Sequence, residues 1–254
     1  MKTVQEILDI IDGFASWASA LDWDNSGLQA GWLQQHVQKI ICALDLTPEV
    51  AEQALSGQVQ LIVTHHPVFY RAAKSVTDRD WQQELVLQCI KQGISVISVH
   101  TPWDAADGGV NDILANVLGL QDIQPLDLVT GIGRTGFLSQ DMDLRDFAMF
   151  VREKLGLDSV TFVNGGKRVH KLALCGGVGM DFQDMALEHG CDTFLTADIR
   201  YHEAQKAKFS GLNLVDGTHQ GTEGLSVACL ADRLAQLTGL EVELAEETKI
   251  LECF

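Results

Sequence analysis

Apolar residues recur every three to four positions at the start of the chain. Val4, Ile7, Leu8 and Ile11 mark one face of a helix, and Thr3 and Glu6 are spaced to form its capping box. The pattern then shortens into apolar runs of strand length. Lys39 to Leu46 reads as a buried strand, followed by a helix from Pro48 to Leu55 with Thr47 as N-cap and Pro48 in its first position. Val59 to Thr64 is the next strand, Asp80 to Gln92 a helix stopped by Gly93, and Ile94 to Val99 another strand. A helix from Gly109 to Leu118 ends at Gly119. Strands alternating with helices of this length predict a largely parallel sheet.

From Gln121 to Gly136 the rhythm gives way to short, turn-rich sequence with Pro125 and three glycines, which predicts a lobe boundary. The alternation then resumes. Helices are expected at Leu144 to Leu155, Phe182 to His189, Tyr201 to Phe209 and Gly221 to Leu237. Strands are expected near Val160 and at Val169 to Leu174, Thr193 to Thr196, Leu212 to Val215 and Glu241 to Glu246. The predicted architecture is α/β, with two similar lobes whose sheets are largely parallel or mixed. Residues 1–125 form the first and 126–254 the second, with the C-terminal segment able to return to the first.

Composition narrows the function classes. Of 254 residues, 46% are hydrophobic and 21% charged, as in ordinary globular proteins. No stretch approaches the ~18 apolar residues that span a bilayer. Glu6, Asp9 and Asp12 interrupt the N-terminal apolar positions, so that segment does not read as a signal peptide, and the expected location is the cytoplasm. A formal net charge of -17 argues against a duplex nucleic-acid partner, which calls for a basic face. It leaves room for a small anionic substrate held by a local positive site. The six cysteines are scattered without a Cys-x-x-Cys pair and are expected to be reduced and buried, not thiolate zinc ligands.

The chemistry-bearing residues cluster just past strand ends. Leu61 to Thr64 ends in His65-His66, Ile94 to Val99 ends in His100-Thr101-Pro102-Trp103-Asp104, and Leu212 to Val215 leads to His219 and Glu223. In open α/β folds, ligands bind beyond the carboxyl ends of the strands. Any one of these motifs alone is commonly structural, but three at one sheet edge read as a metal site. Adjacent strand residues point to opposite faces, so His65 and His66 converge only because they lie beyond the strand. His219 is expected in a turn and Glu223 in the first turn of the helix after it, where it could bridge two ions. Imidazoles with carboxylates suit zinc, manganese, iron, cobalt or nickel better than calcium or magnesium. Two divalent ions against Asp104 and Glu223 leave a local excess of about two positive charges, which attracts anionic oxygens and acidifies water.

These residues sit within a longer ordered set. It runs through Trp23-Asp24-Asn25-Ser26-Gly27-Leu28-Gln29, Thr64-His65-His66-Pro67, His100-Thr101-Pro102-Trp103-Asp104, Thr196-Ala197-Asp198-Ile199-Arg200-Tyr201-His202-Glu203-Ala204 and Asp216-Gly217-Thr218-His219-Gln220-Gly221-Thr222-Glu223. Over nearly its whole length the chain resembles a dinuclear metal-centre family known as GTP cyclohydrolase I type 2 homologues. The resemblance implies metal ligation by His65, His66, Asp104, His219 and Glu223. It also implies two α/β lobes with the metal site at strand ends between them, and a toroidal homohexamer built as a trimer of dimers. Some members carry an inserted mid-chain domain, for which this sequence has no room.

Other polar groups are candidates for the chemistry. His100 is placed to line the site, and Asp198 and His202, four apart, are expected to share a helical face as proton-transfer or substrate groups. Arg71 and Lys74 follow the His-His segment and are placed to meet an anion. Gly176-Gly177-Val178-Gly179 lacks the third glycine of a dinucleotide fingerprint, with Phe182 in its place, and reads as a tight turn. Ser26, Ser75 and Ser226 have no local nucleophile context. The leading expectation is a hydrolase with a dinuclear centre acting on a small phosphate-bearing or nucleotide-like substrate. The rival is a metal-binding or metal-delivery protein without turnover.

Overall fold

The computed structural model describes residues 1–71 and 73–252, which leaves Cys253 outside the described residues. Two compact units divide the chain. The first is Met1–Asp107 with Val227–Lys249; the second is Gly108–Ser226 with the residues from Ile250 onward.

In the first unit, β1 (Lys2–Thr3) leads into α1 (Val4–Asp12), whose capping box closes as expected: Thr3 N–H donates to Glu6 Oε2 at 2.6 Å and Glu6 N–H to Thr3 Oγ1 at 3.2 Å. There follow β2 (Gly27–Ala30), β3 (His36–Val37), β4 (Lys39–Ala43) and α2 (Pro48–Ser56), which Thr47 caps. Next come β5 (Leu61–Thr64), α3 (Trp81–Lys91), β6 (Ser95–Ser98) and the short α4 (Thr101–Ala105). The five-stranded sheet has the C-terminal strand Glu241–Leu244 at one edge, then β4, β5, β6 and β2. The first four run parallel and β2 is antiparallel to β6. Every residue of β5 and β6 is buried, which is why both lack polar alternation. Val50, Ala54, Leu85, Val86 and Cys89 from α2 and α3 join Ile41, Ile62 and Val96 in one core cluster.

The second unit contains α5 (Val110–Val117), β7 (Gln121–Pro125), β8 (Arg134–Met142), α6 (Leu144–Lys154), β9 (Thr161–Val163) and β10 (Val169–Leu174). It continues with α7 (Gln183–Glu188), β11 (Thr193–Thr196), α8 (Tyr201–Ser210), β12 (Asn213–Asp216) and the start of α9 (His219–Thr238). Its six-stranded sheet is mixed, in the order β7, β8, β10, β11, β12, β9, with only the β10–β11 and β11–β12 pairs parallel. Leu172, Leu174, Leu195 and Val215 from the sheet pack with Leu114, Phe147 and Val151 from α5 and α6.

Inside the stretch read as a lobe boundary, β7 is an edge strand paired with β8, and the two units divide at Asp107–Gly108. Two expectations need correction. The three strand ends expected at one sheet edge belong to two sheets, β5 and β6 to the five-stranded one and β12 to the six-stranded one. Among the thiols, Cys42, Cys89, Cys175 and Cys191 are buried, but Cys229 is exposed on α9. Burial pushes the Cys89 and Cys191 thiols up to about 11, away from nucleophilic or ligating chemistry.

Candidate metal centre

In the first unit the chain leaves β5 at Thr64, and His65 and His66 follow while still tied to the neighbouring backbone. Their N–H groups donate to Ala43 O at 3.1 Å and Leu44 O at 2.9 Å. The two rings nevertheless lie on the same side, with centroids 4.9 Å apart, and both meet His100, at 5.2 and 5.7 Å. Each of the three offers a ring nitrogen within 4.8 Å of the others. Asp104 is carried on α4, not on an extended strand end, and its Oδ1 lies 3.7 Å from His65 Nε2. His65 and Asp104 are buried.

The other ring nitrogen of each histidine is committed to the protein. His65 Nδ1 bonds Val99 O at 3.0 Å, His66 Nδ1 bonds Asp45 Oδ1 at 2.9 Å, and His100 Nδ1 bonds Asp24 Oδ1 at 2.9 Å. A carbonyl or ionised carboxylate only accepts, so Nδ1 carries a proton, and in the neutral ring Nε2 presents the lone pair. That is the arrangement of metal-ligating imidazoles.

Both carboxylates are themselves held. Asp24 accepts from Ser26 Oγ and Thr101 Oγ1, each at 2.6 Å, and from Thr101 N–H at 3.2 Å. Burial pushes the Asp24 carboxyl up, but the bonds from His100, Ser26 and Thr101 outweigh it and hold the group far below the usual range. Burial likewise depresses His100, while its bond to Asp24 and the charges of Asp104 and Asp24 raise it above its ordinary value. The Asp45 segment is clamped by Glu247, which accepts from Leu44 N–H at 2.8 Å and Asp45 N–H at 3.1 Å.

In the second unit β12 ends at Asp216, and two loops are pinned to its carboxylate: Thr218 N–H donates at 2.9 Å and Ile199 N–H at 3.3 Å. Thr218 and Asp198 both adopt left-handed backbone, with φ of 58° and 54°. These conformations bring Asp198 Oδ2 to 2.7 Å from His219 Nδ1. His219 opens α9 and does not sit in the preceding turn; its Nε2 faces the buried Glu223 Oε2, one helical turn on, at 3.0 Å. The glycine run makes room for that carboxylate. Gly177 has φ +60°, and a side-chain carbon there would fall on Glu223 Oε1. At Gly176 it would lie 2.8 Å from Val110 Cγ1 and 3.2 Å from Glu223 Cγ.

The structure thus gathers His65, His66, His100 and Asp104 in one unit, and His219, Glu223 and Asp198 in the other. Asp198 and His202 do not share a helical face, because Asp198 precedes α8 in a left-handed turn. Its contact with His219 makes it a positioning group. The exposed His202 side chain lies against the Tyr201 ring, centroids 5.4 Å apart. Arg71 and Lys74 are exposed. Sequence reasoning missed Asp45 and the role of Asp24. Asp45 carried a usable signal, since it follows β4 at the same sheet edge where His65 follows β5.

Comparison with known proteins identifies the family. The model of the Duf34/NIF3 (NGG1p interacting factor 3) family matches residues 2–250. A GTP cyclohydrolase 1 type 2 homolog from Clostridium perfringens is 30% identical over 246 residues, covering 94% of each chain. A protein of the same name from Clostridium acetobutylicum is 30% identical over 238 residues, covering 91% of this chain and 89% of its own. The crystal structure of a Staphylococcus aureus hypothetical protein superposes with a TM-score of 0.92 at 25% identity, covering 99% of both chains. With a family model spanning residues 2–250 and relatives 30% identical over nine-tenths or more of its length, the chain belongs to the Duf34/NIF3 family.

Proposed function

We propose that the two ligand sets serve one dinuclear centre, in which His65, His66, Asp104, His219 and Glu223 hold two divalent transition-metal ions. The centre hydrolyses a small phosphate-bearing or nucleotide-like substrate. The observation that supports this best is the common tethering of Nδ1 in His65, His66 and His219, which aims Nε2 of each toward a ligand. When bound, such ions supply Lewis acidity that polarises a scissile group and lowers the pKa of water.

The chain's own residues do the rest. Asp45, Asp198 and the Val99 carbonyl fix the ligand rings. Asp24 steers His100, whose Nε2 then holds or passes a proton at the edge of the cluster. His100 takes this role ahead of the exposed His202 because its ring lies against those of His65 and His66. The name shared by the clostridial relatives makes GTP the first nucleotide to test. As in the family resemblance, the working form is a homohexamer.

The test is turnover by metal-loaded protein across nucleotides, phosphoesters and cyclic amides. Metal-dependent turnover that disappears in Glu223→Gln, with circular dichroism unchanged, is the expected result. Silence across the screen at full metal occupancy would overturn the hydrolase and leave a metal-binding or metal-delivery protein.

A further inference from the structure

Beside the His65–His66–His100 cluster stand two aromatic side chains that the proposed hydrolysis does not use. Trp23 and Tyr70 are 51% and 57% exposed. Their ring centroids are 5.3 Å apart at 38°, and Trp23 meets His100 edge-on at 5.8 Å and 69°. Single exposed apolar side chains are ordinary on a protein surface. Two large rings in mutual contact, next to a cluster of candidate ligands, leave a substantial apolar face open at that spot.

The segments that carry them are tied down. Asn25 Nδ2 donates to Phe69 O at 2.8 Å, which links the Trp23 segment to the Tyr70 segment. Phe69 packs against the core of the first unit. Asp24, next to Trp23, is bound to Ser26, Thr101 and His100. The rings are therefore presented by ordered backbone, and their placement is coupled through Asp24 to that of His100. Aromatic faces held open in this way stack planar rings, and nucleobases stack on them with little regard to base identity.

We propose that Trp23 and Tyr70 form a stacking platform for a planar heteroaromatic ring, so that the ligand of this site is a base-bearing nucleotide and not a bare sugar phosphate. The proposal deepens the hydrolase reading and rests on it for what is done to the ligand, though not for the binding itself. A purely structural role is the competing account: the rings would only shield His100 and the neighbouring histidines, and their removal would lower metal content instead of ring preference.

Isothermal titration of metal-loaded protein with guanosine 5′-monophosphate and with ribose 5-phosphate separates these possibilities, because the two probes differ only in the base. The expected result is a preference of about 10-fold or more for the nucleotide in the parent. In Trp23→Ala and in Tyr70→Ala that preference falls severalfold, Trp23→Phe keeps most of it, and metal content by elemental analysis stays at the parental level in all three. Equal affinity for the two probes in the parent overturns the proposal, as does a preference that survives in both alanine variants. Loss of metal in Trp23→Ala with the preference intact in Trp23→Phe and Tyr70→Ala assigns the rings to shielding and also overturns it. A parent that takes up no ion yet prefers the nucleotide keeps the platform and removes the hydrolase reading.

Discussion

At the scale of single residues, the candidate ligands His65, His66 and His219 each commit Nδ1 to the protein, which in His65 and His219 turns Nε2 toward the carboxylates of Asp104 and Glu223. The acceptors therefore matter nearly as much as the ligands. Asp198 has φ 54°, a conformation asparagine also tolerates, so Asp198→Asn removes the charge at His219 without straining the turn. Metal affinity is expected to fall about 10- to 100-fold in Asp198→Asn, and similarly in Asp45→Ala, with the unfolding midpoint nearly unchanged. Metal titration checks this, and parental affinity in both variants would show that the tethers have no role. The candidate residues stood out in the sequence because a polar residue just past a buried apolar strand is conspicuous, and the fold brings them into clusters that could hold an ion. Their partners did not, since the pairings of Asp24 with His100 and Asp198 with His219 depend on loop geometry, including left-handed backbone at Asp198 and Thr218.

At the scale of elements, the best-read pieces were those with one dominant local cause. The capping box and apolar face set α1, Pro48 and Thr47 set the start of α2, and burial on both faces made β5, β6 and β11 short runs of apolar and small hydroxyl residues without charge. The antiparallel strands hid for a physical reason. In β7, the left-handed Asp122, Pro125 and exposed polar side chains imitate a loop, while β8 buries Arg134 and Thr135 in place of apolar residues.

Arg134 explains that exception. Its Nε donates to Asp112 on α5, and its Nη1 donates to Gly131 O at 2.7 Å and Gly133 O at 2.8 Å, closing the loop between β7 and β8. Burial raises the Asp112 carboxyl, but the Arg134 bond, the Gly108 N–H and the Arg134 charge prevail and lower it. The folded form thus favours the ionised group. The stabilisation is complete above the ordinary carboxylate range and is lost as pH falls through the lowered value. Asp112→Asn is expected to cost about 3 kcal/mol near neutrality, because it removes the carboxylate charge that faces a buried guanidinium. Denaturant unfolding of parent and variant measures the difference, which should shrink at strongly acid pH. A difference independent of pH would assign the effect to packing instead.

At the scale of the whole molecule, no helix among the described residues is long and apolar enough to cross a membrane. The first unit is completed by chain from both ends, since Val227–Lys249 contributes an edge strand beside β4. The sequence offered Glu241 to Glu246 as a strand able to return to the first lobe, but local periodicity does not fix its partner, because that pairing is long-range. Assembly lies equally beyond periodicity and composition. The family resemblance leads to the expectation of a closed homohexamer, and light scattering at micromolar concentration checks it. A monomer of 27.8 kDa would contradict it.

The central claim is that five side chains from two units hold two ions, with Glu223 offsetting the repulsion between them. Removing Glu223 should then cost more than one bond, while leaving the fold of each unit in place. Ligating imidazoles must also be neutral, so occupancy should fall as the solution is acidified. Elemental analysis of metal per chain, on saturated parent and on Glu223→Ala, tests this most directly. The expected values are about two ions in the parent and at most one in the variant, with circular dichroism unchanged. One ion in the saturated parent, or two retained in Glu223→Ala, would contradict the dinuclear assignment.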